Sequence, residues 1–337
     1  MKKYFILTVV FFMCFTVLGG SKAYAKKSKE VIKGNVLKEY SGNDKCYTVP
    51  KTVKKISKNA FAKAKNLKKV VITENVKEID SAAFYGADKV SAIDVDKKNK
   101  RYDSYKGALY SEKLKKLIII PPGMKKLVPY KKCQISDECF EFLSLPKLES
   151  LTIGAKWDIK GEVRWPVSDR LKEIKVQKGN KIFYVEDGSL FRKESNGTVS
   201  LMLYCSKESG PVNEYTVPAN VSVIAGNAFS GANIKKIILP DSINEISMGA
   251  FSGCKVECVQ IDNRNRSGNF WSAYMFDGCP ELKKAVFTQN DTIMPGNGTA
   301  IPGGGNIFRK DVVIYSRANS TAKSYADAYG YQWCELF

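Results

Sequence analysis

The chain copies itself every 22 or 23 residues, and few folds can accommodate that. Tyr47 to Lys69 aligns with the block that follows it: Val49 falls on Ile72, Val53 on Val76, Ile56 on Ile79 and Phe61 on Phe84, each 23 residues on. The unit returns from Tyr215, where Phe229 and Phe251 lie 22 apart, and weaker copies carry Phe140 and Phe276. A repeat this short cannot bury its own apolar edge and needs a neighbouring copy to cover it. The periods inside the unit set its local structure. Alternation of the V-x-I type predicts a short strand with one buried face, and Val-x-x-Ile predicts a second extended segment. The Ala-Phe pair followed by small or polar residues predicts one tight helical turn.

A longer element repeats as well. The segment from Ile93 matches that from Ile174, pairing Asn99 with Asn180, Tyr102 with Phe183, Gly107 with Gly188 and Leu109 with Leu190 at an offset of 81. The glycine in each suits a tight turn between two short strands, so two β-hairpin-like insertions are expected.

Several stretches resemble a known family. VPANVSVIAGNAFSGA and LPDSINEISMGAFSGC look like the BspA-like leucine-rich repeats of bacterial secreted and surface proteins. The insertion from Asn99 to Tyr110 and the ending IYSRANSTAKSYADAYGYQW are similar to that family too, so the likeness runs from about Cys46 to Trp333. The fold expected is a leucine-rich repeat solenoid: a curved, right-handed stack of about 23-residue coils, mostly β with short helical turns and the two hairpin-like insertions. The resemblance also implies adhesion or matrix binding, and it supplies no catalytic residues. Lys156 to Arg170 departs from the repeat, and the Gly-rich segment Pro295 to Asn306 interrupts its last copy.

Residues 1–25 read as an export signal: Lys2 and Lys3, then an apolar run from Phe5 to Leu18, then Ala23-Tyr24-Ala25. A lead-in over 26–45 would precede a solenoid over 46–314, with supermodules at about 46–132 and 133–214 and a further stretch 215–314; 315–337 would form a terminal cap. Signal removal takes away Lys2, Lys3 and Lys22 and lowers the formal charge from +20 to +17. No other long apolar stretch suggests a membrane span. The expected location is secreted or extracellular, with cell-wall association left open.

There is no histidine, which excludes Ser-His-Asp and Cys-His catalysis and any His-containing zinc site. The cysteines from Cys46 to Cys334 show no Cys-x-x-Cys pairs. Cys254 and Cys279 fall on core positions and read as reduced apolar side chains, with Cys254–Cys258 and Cys133–Cys139 as alternative disulfides. PGNGTAIPGGGNIF lacks the Gly-Lys-Ser/Thr of a phosphate loop. No cofactor, metal or catalytic set is expected.

Candidate ligand contacts are the outward positions of the V-x-I strands: Lys68 and Lys69, Lys115 and Lys116, Lys235 and Lys236, and Lys283 and Lys284. Stacked in register, they would form a discontinuous cationic ladder along one face, attractive to a polyanion such as a teichoic acid, an acidic glycan or DNA. Lysines beside strands also keep sheet edges apart and the chain soluble, so the same pattern fits a plain solvated face. Trp157, Trp165 and Trp271, with Phe270 and Tyr274, lie off the core positions and read either as partner anchors or as plugs where a repeat is missing. The function expected is non-catalytic binding of a protein or glycan ligand on a host or bacterial surface. The alternatives are a structural envelope role and a carboxylate hydrolase built on Glu186 and Asp187 or on Asp94 and Asp96.

Overall fold

The computed structural model describes residues 30–136, 139, 145–159, 170–205, 210–264, 275–276, 278–294 and 307–336. The export signal, Phe140, Trp165, Phe270, Trp271, Tyr274 and the Gly-rich segment lie outside these residues. The described chain is mostly β, in short strands, with the helix Thr321–Tyr329 near its end.

Two series of sheets run along the stack. The first strand of each repeat builds the front series. Cys46–Thr48, Lys69–Ile72 and Ala92–Val95 pair in parallel, with Cys46 opposite Lys69 and Lys69 opposite Ala92. Lys126–Leu127, Ser150–Ile153 and Glu173–Val176 form a second parallel sheet. Six strands form the third: Val212–Thr216, Ile234–Leu239, Cys258–Ile261, Lys284–Phe287, Val313–Ser316 and Trp333–Glu335. The second segment of each repeat supplies the back series, for example Lys55–Ile56 parallel to Glu78–Ile79.

The buried side chains follow the repeat. Val49, Val53, Ile56 and Phe61 are fully buried, and Ile72, Val76 and Phe84 cover them from the next coil. The Ala-Phe segments form consecutive turns with i→i−3 bonding: Ala60 N donates to Ser57 O at 3.2 Å and Ala64 N to Phe61 O at 3.0 Å. Coil also bonds to coil, with Phe61 N donating to Ala83 O (3.2 Å) and Phe229 N to Ala250 O (2.8 Å). The phenylalanines consequently stack. Ring centroids lie 4.7 Å apart for Phe61–Phe84, 4.9 Å for Phe229–Phe251, 5.0 Å for Phe251–Phe276 and 5.5 Å for Phe276–Phe308. Each such buried ring removes apolar surface worth roughly 1.5–3 kcal/mol, before any gain from offset stacking.

Both insertions are hairpins. Tyr105 pairs with Ala108 and Glu186 with Ser189, leaving two-residue turns at Lys106-Gly107 and Asp187-Gly188. All four turn residues have positive φ, between 46° and 86°, as a type I′ hairpin turn demands. One asparagine anchors each insertion. Asn99 donates to Thr73 O and Val76 O, and its Oδ1 accepts from Arg101 N and Tyr102 N. Asn180 repeats the set 81 residues on, with Gly154 O, Trp157 O, Ile182 N and Phe183 N. The offset found in the sequence is thus a repeated hydrogen-bonding device.

The stack is closed at both ends. An antiparallel pair, Glu30–Lys33 with Val36–Tyr40, leads into the first back sheet. The final helix starts on Ser320, whose hydroxyl accepts from Lys323 N, and it buries Ala322, Tyr325 and Ala326 in the same core cluster as Phe308.

Replacing Asn99 with alanine leaves two carbonyls and two amides without their side-chain partner. Urea unfolding should then show a loss of about 2–4 kcal/mol, and a loss under about 0.5 kcal/mol would refute the anchoring role.

Candidate binding face

The eight predicted lysines do not make one ladder. Lys69 heads a front strand in the first sheet; Lys236 and Lys284 sit in the third. Lys116 belongs to the back series: its strand Lys116–Ile119 pairs antiparallel with Ala108–Ser111 and parallel with Gln134–Ile135. Its alternation of buried and half-buried residues is that of a front strand, so pattern alone cannot separate the two. The hairpin decides it, because the chain leaving the hairpin stays beside it in the back sheet. Lys115 precedes this strand, and its carbonyl accepts from Gln134 N at 2.7 Å.

The front lysines are also interleaved with acids. Lys69 Nζ lies 2.5 Å from Asp94, Lys236 Nζ 2.9 Å from Glu214 and Lys283 Nζ 2.6 Å from Asp311. Lys68 is exposed, and its carbonyl accepts from Ser91 N. Exposed pairs like these are each worth about 0–1 kcal/mol and exchange readily. They still turn the expected cationic stripe into a row of mixed charge.

The lysines converge in one place. Lys235, Lys236, Lys283 and Lys284 line a shallow groove of about 610 Å³ together with Glu257, Cys258, Pro280 and Glu281. Strand register explains this: Lys236 faces Cys258, and Cys258 faces Lys284. Burial pushes the Cys258 thiol above its ordinary pKa, while the flanking Lys236 and Lys284 ammonium groups act the other way. At the groove's edge Asp311 is held well below the usual carboxylate range by its hydrogen bonds from Arg309 and Lys283. Beside this charged row runs a second outward row in register: Ile238, Gln260, Val286 and Tyr315, each half-buried. Lys284 Nζ lies 5.9 Å from the centre of the Tyr315 ring. This largely apolar row lies outside the lysines and tryptophans that the sequence pointed to. Its signal is a β-branched or aromatic residue at the outward x of V-x-I.

Trp157 is only 1% exposed and belongs to the core cluster of the middle section. It is a core residue and not an exposed ligand anchor, standing where the first copy has buried Val76, whose carbonyl accepts the equivalent asparagine bond. Trp165 and Trp271 lie outside the described residues. Of the acids considered for hydrolysis, Asp94 pairs with Lys69, Asp96 accepts from Lys98 N at 2.8 Å, Glu186 ends a hairpin strand opposite Ser189 and Asp187 forms the turn. Among the described residues no helix is long and apolar enough to cross a membrane, and no group of three or more cysteine, aspartate or glutamate side chains gathers at metal-binding distance.

Stacked coils with a parallel front sheet define the chain as a leucine-rich repeat solenoid. A family model, the BspA type leucine-rich repeat region, matches residues 32–160 and 200–297 in six copies. The chain belongs to the BspA-type leucine-rich repeat family. Among solved structures it is similar to a leucine-rich cell surface protein of Faecalibacterium prausnitzii A2-165, at 19% identity and a TM-score of 0.48, covering 92% of this chain and 93% of that one. It is also similar to the pneumococcal vaccine antigen PcpA, at 16% identity and a TM-score of 0.47, covering 92% and 96%. A leucine-rich repeat protein of Eubacterium ventriosum matches at 15% identity and a TM-score of 0.39, covering 79% and 77%. A search of curated proteins returned no match.

The cysteines offer a direct check on the face. All eight from Cys46 to Cys334 remain thiols; Cys46 and Cys334 are exposed, Cys258 is half-buried and the others are buried. Burial raises the Cys205 thiol to about 11 and that of Cys254 to about 12. Thiolate is the reactive form, so at pH 8 iodoacetamide should modify Cys46 and Cys334 first, Cys258 slowly, and the buried five only on unfolding. Labelling of Cys254 as fast as Cys46 in the folded protein would contradict the assigned coil packing.

Proposed function

We propose that this protein is a non-catalytic binding protein acting outside the cell or at its surface, and that it takes a protein partner on the front face of the six-stranded sheet. The double row on that sheet carries the reading. Half-buried Ile238, Val286 and Tyr315, with Gln260 among them, run in register beside a row in which Lys236 pairs with Glu214 and Lys284 lies over the Tyr315 ring. Apolar and aromatic groups set among interleaved acids and bases are what protein interfaces present, whereas a surface specialised for a polyanion concentrates cations without acids between them. Six strands give a span of about 24 Å, wide enough for a standard interface. Family membership supports a repeat protein of the kind found on bacterial surfaces.

An array of host matrix proteins, bacterial surface proteins, mucin glycans and cell-wall polymers tests this. At least one protein should be retained, and the pair Ile238→Asp and Tyr315→Ala should weaken its affinity by at least about tenfold. Silence across the proteins, or retention unchanged in the double variant, would overturn the assignment to this face.

A further inference from the structure

A second site lies on the other side of the molecule, where the first hairpin meets the regular coils. A recess of about 930 Å³ opens there, in the size range of small-ligand sites. Its floor is partly apolar, formed by Val76, Ile79 and Ile119. Four cations surround it: Lys77, Lys98, Lys100 and Arg101, all exposed. Two acids, Glu74 and Glu112, share the lining, and Glu74 is engaged by Lys51 at 3.1 Å. Nearby Glu78 is engaged by Lys55 at 2.8 Å. The rim therefore carries excess positive charge.

Three of the cations are held by the fold. Lys98, Lys100 and Arg101 flank Asn99, which is buried and bonded on both its donor and acceptor sides. Tyr102 closes the turn, with its hydroxyl donating to Lys77 O and accepting from Ile79 N. Charges on a pinned backbone cost a ligand less ordering than charges on a mobile loop.

The second hairpin supplies an internal comparison. The offset of 81 that equates Asn99 with Asn180 also equates Lys77 with Asp158, Lys98 with Gly179, Lys100 with Lys181 and Arg101 with Ile182. The hairpin, its turn and its asparagine anchor are the same in both copies, but one cation remains of the four. Asp158 there meets Arg192, which stands where the first copy has Ser111. At other lining positions the second copy gains basic residues, Lys156 for Asn75, Arg192 for Ser111 and Lys193 for Glu112, so the scaffold fixes the hairpin and its anchor but not where the cations stand, and the set Lys77, Lys98 and Arg101 belongs to the first copy.

We infer that this recess binds an acidic oligosaccharide, its carboxylate or sulfate groups on the Lys98–Arg101 rim and a sugar ring over the apolar floor. Ser81, Ser111 and Asn75 supply the neutral polar groups that sugar hydroxyls require. The site is separate from the front face and takes a different class of ligand.

Titration calorimetry on the mature chain tests the inference, with a sulfated heparin tetrasaccharide, a trigalacturonate, neutral maltotetraose and inorganic sulfate as probes. At least one acidic oligosaccharide should bind, the neutral one should not, and rising salt should weaken the binding. Lys98→Glu with Arg101→Glu should cost at least about tenfold in affinity, while Lys181→Glu in the second copy and Lys236→Glu with Lys284→Glu on the front face should stay within about twofold. Comparing the sulfated and carboxylated probes identifies the acid group. Absence of acidic-sugar binding, binding that survives K98E/R101E, or inorganic sulfate binding as tightly as the oligosaccharides would overturn the assignment. None of those results bears on protein binding at the front face.

Discussion

Each coil is half of a core and needs its neighbour to complete it. Phe251 has Phe229 on one side and Phe276 on the other, and backbone amides at the Ala-Phe turns donate across the same boundary. Stability in such an array is the sum of weak intrinsic terms and strong nearest-neighbour terms. The ends are then the exposed points, which explains why the chain spends an antiparallel pair at its start and a capped helix with three buried residues at its finish.

This arrangement separates the core from the surfaces. Inward positions are tied to the repeat, while outward positions are constrained only by the strand they stand on. The two hairpin copies illustrate it: the same asparagine bracket stands beside Lys77, Lys98 and Arg101 in one and beside Asp158, Gly179 and Ile182 in the other. The front and back surfaces are thus not tied to the fold or to each other, so one solenoid can present a mixed-charge front row and a basic recess together.

Much of the fold was legible because its signals are periodic. The 23-residue repeat, the buried alternation, the two glycine turns and the role of Cys254 and Cys279 as core residues all follow from spacing. What escaped depended on which sheet a strand joins. Lys116 carries the outward pattern of a front strand, and only its pairing with Ala108–Ser111 places it at the back. The candidate face was half legible for a related reason. Charge stands out in a sequence, whereas the acids that answer it are assigned by register, as Glu214 is to Lys236 and Asp94 to Lys69. Trp157 could be read either way until its burial was known, and the basic recess needs the hairpin folded against the coils before its cations meet.

Hydrogen exchange read by mass spectrometry, with Phe251 replaced by alanine, tests the mutual dependence of the coils most directly. The amides around Phe229 and Phe276 should lose protection along with those of the altered coil, while those around Phe61, far along the stack, should keep theirs. A protection loss confined to the substituted coil, or spread evenly from Phe61 to Phe308, would contradict a structure held together by neighbour covering neighbour.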